Sequence, residues 1–176
     1  MAEVEAEERR LLVAVDESEE SMHALSWCLK NIISDKFRDT LLLLYVKPPR
    51  AASTALDGTG KRCYAEAYMF SSEVMLAIER YSNEVADCVM EKAKRLCSEL
   101  ADGQVKVETR VENGDARDVI CQMTDKLGAD LLVMGSHGYG LIKRAFLGSV
   151  SNHCAQNAKC PVMIVKKPKS TSTATN

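Results

Sequence analysis

Leu131-Leu132-Val133-Met134-Gly135-Ser136-His137-Gly138-Tyr139-Gly140 decides how the rest of the chain is read. Four apolar residues in a row, closed by glycine, are what a strand buried on both faces requires. Gly135 and Gly138 have no Cβ to hold a bound group away from the main chain. Leu141 to Leu147 comes next, and then Gly148-Ser149, which opens a helix. The free N–H groups and positive dipole end of such a helix suit an anion, and the Ser149 hydroxyl adds a donor. Gly135 to Ser149 is therefore a candidate phosphate-gripping loop. The plainer alternative is a glycine-rich turn with Ser149 as an ordinary helix cap.

Toward the N-terminus the same grammar repeats. Leu11 to Val15 is a second short apolar run, stopped by Asp16. Ser18 can cap the next helix, and Glu19 and Glu20 suit its positive end. Ala24, Leu25, Trp27, Cys28, Leu29 and Ile32 then give a broad apolar face. Leu41 to Val46 reads as another buried strand, closed by Pro48-Pro49. Residues 48–66 read as a loop longer than most connections. A helix is expected over 68–101, with Ile78, Tyr81, Val85, Val89, Ala93, Leu96 and Leu100 three or four apart. Val105 to Val111 alternates apolar with polar, the pattern of a strand with one exposed face. Asn113-Gly114 turns, Asp115 caps a helix carrying Val119, Ile120, Met123 and Leu127, and Gly128 stops it. Pro161 to Lys166 is the last strand.

Buried strands alternating with helices predict one α/β domain, a parallel sheet with helices on both faces. The expected domain spans 9–167, between an acidic arm at 1–8 and a Lys, Ser and Thr-rich tail at 168–176. In such sheets ligands sit beyond the carboxyl ends of the strands, which singles out Asp16 and Gly135.

The 176 residues suffice for one domain with a hydrophobic core, and 46% hydrophobic with 27% charged is ordinary globular composition. A formal net charge of −2 argues against a nucleic-acid binder and against docking on anionic membranes. No apolar window approaches the ~18 residues of a membrane span. Met1 to Glu8 is acidic and reads as neither a secretory signal nor a transit peptide. A cytoplasmic protein is expected, entering the nucleus at most by diffusion. The seven cysteines are odd in number and contain no CxxC, which fits reduced thiols used mainly for packing, with a redox role for one of them left open. His153-Cys154 and Cys160 do not make a metal site, since helix neighbours point apart and no ligand quartet exists.

The two common nucleotide motifs are absent. There is no GxxxxGK[ST], and Lys143 stands where GxGxxG would need its last glycine. Gly135-x2-Gly138-x9-Gly148-Ser149, however, resembles the nucleotide-binding pattern of the universal stress protein family, and most of all its plant branch. The supporting stretches are Leu11-Leu12-Val13-Ala14-Val15-Asp16, Ser18-Glu19-Glu20-Ser21, Ala24-Leu25-Ser26-Trp27, Asp130 to Ser151 and Cys160-Pro161-Val162-Met163-Ile164-Val165-Lys166.

That resemblance implies a three-layer, Rossmann-like fold with sheet order 3-2-1-4-5, of the adenine nucleotide alpha hydrolase-like kind. It implies ATP or AMP as ligand, with Mg or Mn held through the phosphates. Asp16 would meet the ribose or adenine side, and Val46 would meet adenine through its backbone. Met134 and Gly135 would lie beside the ribose and α-phosphate, and Gly138, Gly148, Ser149 and Val150 would bind phosphates. It further implies a homodimer through the last strand, Val162 to Val165. Glu17 and Tyr139 depart from the family pattern, which has a small residue and a basic residue there. Three functions follow as alternatives: a nucleotide-responsive stress or signalling protein, a chaperone or scaffold for unfolded clients, and a slow ATPase. For the last, His137 and Asp16 are the nearby acid–base candidates, although His137 reads equally as a solvated loop side chain. Lys143 and Arg144 would either steer the ligand or form a solvated loop face.

Overall fold

The computed structural model describes residues 8–34, 37–49, 55–56, 62–63, 72–101, 105–137 and 147–168. Among the described residues, seven strands and four helices follow one another in the order β1 (Glu8–Ala14), α1 (Glu19–Asn31), β2 (Arg38–Lys47), β3 (Ala55–Leu56), β4 (Arg62–Cys63), α2 (Ser72–Ala101), β5 (Lys106–Asn113), α3 (Ala116–Lys126), β6 (Leu131–Gly135), α4 (Ser149–Asn157) and β7 (Val162–Val165). Five strands form one parallel sheet, ordered β5-β2-β1-β6-β7. Counted within that sheet, the order is the expected 3-2-1-4-5.

The uninterrupted apolar runs are explained by the period of two along a strand. Leu11, Val13, Leu41, Leu43, Tyr45 and Val133 point to one face, where they pack with α1 and α2 residues such as Leu25, Leu29, Val89 and Ala93. Leu12, Leu42, Leu44, Leu132 and Met134 point to the other and pack with Ile120 and Met123 of α3 and Cys154 of α4. Both faces are covered, so successive residues along Leu11 to Val13, Leu41 to Tyr45 and Leu132 to Met134 are apolar whichever way they point.

Local signals end the elements where expected. The Ser18 side chain accepts from the Ser21 N–H at the start of α1, and the Asp115 side chain from the Arg117 N–H at the start of α3. Gly128 follows α3 with φ of +59°, the left-handed conformation that favours glycine. Strand β2 begins three residues before the apolar run, because Asp39 is buried there. Arg9 of β1 donates to both its carboxylate oxygens, at 2.9 and 2.8 Å, and also to Ile32 O at 3.2 Å. The same guanidinium stacks 3.7 Å from the Phe37 ring centroid. This cluster ties β1, β2 and the end of α1 together below the sheet.

Three boundaries need correction. Glu8, assigned to the acidic arm, is the first residue of β1, in register with Arg38. The 48–66 segment is not loop throughout, since β3 and β4 pair antiparallel within it. The last strand starts at Val162 and ends at Val165, because Pro161 supplies its carbonyl to Leu132 N–H but has no N–H of its own to pair. Residues 1–7, 68–71 and 169–176, also named above, lie outside the described residues.

Candidate functional site

Strand β1 leads into α1 on one face of the sheet, while β6 leads into α4 on the other. The chain therefore parts between two neighbouring strands, β1 and β6, and leaves a crevice above their carboxyl ends. A cavity of about 520 Å³ occupies this position. That lies within the ~300–1,000 Å³ of small-molecule sites.

Of the eight positions expected from sequence, Asp16, Val46, Met134, Gly135, Gly148, Ser149 and Val150 all line this one cavity. Gly138 lies outside the described residues, as do Tyr139, Lys143 and Arg144. Ala14, Val15, Leu44, Ala116, Ile120 and Leu147 supply an apolar wall that the sequence did not reveal as such. Ala14, Val15 and Leu44 read as strand core and Ile120 as a helix's apolar face, Leu147 falls in the candidate loop, and Ala116 carries no signal of its own; Ala116 and Ile120 come from α3, some hundred residues after Asp16. Ser21, His137, Ser151 and Asn152 complete the lining.

The polar frame is built from short serine bonds. Ser136 and Ser151 are buried, and the Ser151 hydroxyl donates to Ser136 O and Gly148 O, each at 3.0 Å. Gly148 N–H donates to Ser136 O at 2.7 Å. The start of α4 is thereby fastened to the end of β6. Gly148, not Ser149, is the N-cap, and it makes no side-chain capping bond. Ser149 is the first helical residue and is exposed, so its hydroxyl is not consumed as the cap. On the facing side Asp16 Oδ1 accepts from Ser18 N–H at 3.0 Å and closely from the Ser18 hydroxyl. Ser21 Oγ donates to Asp16 O at 3.1 Å, so the first turn of α1 holds the aspartate in place.

The glycines have a second reason to be there. A Cβ at Gly135 would stand 3.0 Å from Glu20 C, 3.1 Å from Glu20 O and 3.1 Å from Ser21 N. Gly135 is thus required by the approach of β6 to the α1 backbone, in addition to lining the cavity. A Cβ at Gly148 would lie 3.3 Å from both His137 Cα and Ser136 O.

His137 lines the cavity half-buried, with Nδ1 3.1 Å from Ser136 Oγ. His153 turns instead toward Asp118, at 3.8 Å. Among the described residues no group of three or more His, Cys, Asp or Glu could hold a metal ion. Glu17, the departure beside Asp16, does not line the cavity. Its carboxylate accepts from the Tyr45 hydroxyl at 2.7 Å, on the α1–α2 side of the sheet. Burial first, and then this bond, pushes the Tyr45 phenol well above its ordinary range. At the edge of the site, α3 opens on Asp115, whose carboxylate is held down at about 2 by its bonds to Arg117.

The model of the universal stress protein family matches residues 8–166. A universal stress protein A-like protein of Arabidopsis thaliana is 32% identical over 146 residues, covering 82% of this chain and 77% of its own length. The chain spans 45%, 62% and 65% of the length of three further curated relatives. A universal stress protein family structure from Arabidopsis thaliana with AMP bound superposes with TM-score 0.60 at 23% identity, over 92% of this chain and 93% of that one. A universal stress protein in complex with cAMP superposes with TM-score 0.52 at 26% identity, over 89% of this chain and 96% of that one.

Proposed function

The chain belongs to the universal stress protein family, and on that premise we propose that it binds an adenine nucleotide, ATP or AMP, in the cavity above β1 and β6. One observation carries the reading: seven positions from four separate segments of the chain, expected on a phosphate-and-ribose pattern, line a single cavity of suitable size. The cAMP complex of the 26% identical relative supports the ligand class, and the AMP-bound structure shares the fold. The apolar wall of Leu44, Val46, Ala116 and Ile120 suits a purine, and the backbone of β2 near Val46 would read its edge. Asp16 would take a ribose hydroxyl. The phosphates would lie at the start of α4, against Gly148, Ser149 and Val150, with Mg or Mn riding on their oxygens. Binding would shift conformation or assembly, and no covalent chemistry is required.

The decisive variant is Ser149→Asp. A carboxylate in the first turn of a helix favours the helix, so the fold should hold while phosphate is repelled. Calorimetric titration of nucleotide-stripped protein should show ATP with magnesium binding about tenfold or more weakly, a loss of ~1.4 kcal/mol or more. Adenosine should bind as before, and GTP should bind poorly to both proteins. Unchanged ATP affinity in the folded variant would remove the phosphates from this site.

Two further properties belong to the same proposal. Strand β7 stands at the sheet edge, and pairing through Val162 to Val165 would make the homodimer; a monomer by sedimentation equilibrium at micromolar concentration would exclude it. A chaperone reading is favoured by the early turns of α2, where Leu76, Ile78 and Tyr81 are 54%, 52% and 69% exposed. If unfolded clients dock there, Ile78→Lys should reduce suppression of client aggregation, and protection no better than an inert carrier's would dismiss the reading.

A further inference from the structure

Cys121 of α3 and Cys154 of α4 bring their sulfurs to 3.9 Å of each other across the contact between the two helices. We propose that this pair is a modification site at which a hydroperoxide converts the two thiols into an intramolecular disulfide joining α3 to α4. A disulfide needs its sulfurs ~2.05 Å apart, so the gap must close by about 1.9 Å. Movement of that order is available from rotation about χ1 between staggered positions.

The two thiols differ in a way that assigns their roles. Cys121 is half-buried and within reach of an oxidant, whereas Cys154 is fully buried. Cys121 sulfur, as thiolate, attacks one peroxide oxygen. An S–O bond forms, the O–O bond breaks, and hydroxide leaves to be protonated as water. Cys154, as thiolate, then attacks the sulfenic sulfur. The S–S bond forms, the S–O bond breaks, and the departing hydroxide takes up the second thiol proton. Two thiols and one hydrogen peroxide thus give one disulfide and two waters. Burial, and then the neighbouring Cys121, pushes the Cys154 thiol above its ordinary range. Its burial keeps it from the oxidant, so it enters only at the second step.

The other thiols whose side chains are described lack this combination. Burial raises Cys28 to about 12 and Cys97 to about 11, and neither is exposed to oxidant. Cys88 is exposed on α2, on the opposite face of the sheet. Cys160 is half-exposed and packs against the same core as the pair, which makes it the competitor that an experiment must distinguish. The bond would also have a definite place relative to the cavity. Ile120 precedes Cys121 directly and Ser151 lies one turn before Cys154, and both line it.

The test uses the reduced full-length protein and hydrogen peroxide, quenched with catalase and alkylated after unfolding. Intact-mass spectrometry should show a monomeric chain carrying two alkyl groups fewer than the reduced, alkylated control. Peptide mapping should find Cys121 linked to Cys154, and dithiothreitol should reverse the link. Cys121→Ser should abolish the link with its circular dichroism spectrum unchanged. Cys154→Ala should instead leave Cys121 as a sulfenic acid that dimedone traps. Recovery of both cysteines as separately alkylated peptides, after peroxide exposure that modifies Cys88, would overturn the proposal. So would a link from either one to Cys160 or to a second chain in place of the 121–154 link.

Discussion

Replacing Gly135 with alanine distinguishes the two reasons for a glycine at the end of β6. If the residue only let a ligand approach the backbone, alanine would leave folding untouched. The structure predicts otherwise. The new methyl would meet three backbone atoms of α1 at 3.0, 3.1 and 3.1 Å, closer than ordinary van der Waals contact. Those atoms cannot retreat cheaply. The Ser21 N–H is held by the Ser18 hydroxyl at 3.1 Å, and Ser21 Oγ is bonded to Asp16 O and Ser18 O. Forcing a methyl into such packing costs about 1–3 kcal/mol. Loss of glycine's freedom in the unfolded chain offsets about 0.4–1 kcal/mol of this. The net expectation is a destabilisation of roughly 1–2 kcal/mol. In urea, with a slope of ~2 kcal/mol per molar, the midpoint should fall by about 0.5–1 M at constant slope. The assay is equilibrium unfolding without nucleotide, followed by far-ultraviolet circular dichroism. A midpoint within ~0.2 M of the parent protein's would refute the packing argument and return Gly135 to a purely ligand-facing role.

The Arg9–Asp39 pair should behave as a buried ion pair, since the Asp39 side chain is only 1% exposed. Arg9→Met strands the carboxylate and should cost about 3 kcal/mol, whereas the Arg9→Met/Asp39→Leu double variant should recover most of it; equal losses in single and double variants would show that charge burial is not the cause. Asp115 sets a pH dependence. Its carboxylate is lowered from 3.8 to about 2, so its contribution is complete above about pH 4 and disappears as pH falls through about 2. Asp115→Asn keeps a capping side chain but removes the charge, and should flatten the acid limb of stability over that window; an unaltered limb by acid titration would assign it to other carboxylates.

The fold was legible because its signals are local or periodic. Unbroken runs such as Leu131 to Met134 belong to strands covered on both sides, and Ser18, Asp115 and Gly128 punctuate helices through bonds to near neighbours in the chain. The strand order came from resemblance, not from those signals, because nothing within a strand states which strand lies beside it. Half of the candidate site was legible for a similar reason. Glycine and serine at strand and helix ends have restricted uses, so Asp16, Gly135, Gly148 and Ser149 stood out.

What the sequence by itself determined, then, was a parallel α/β domain, and it marked Asp16, Gly135, Gly148 and Ser149 as candidates for a ligand site. Tertiary structure alone decided that Ala116 and Ile120 of α3 close the cavity, that Ser151 fastens α4 to β6, and that Gly135 faces α1. It also decided that Cys121 meets Cys154, from helices that β6 separates along the chain. An alanine, a buried serine or a cysteine carries no mark of its partner in one dimension. Its role is set by what the folded chain places a few ångströms away.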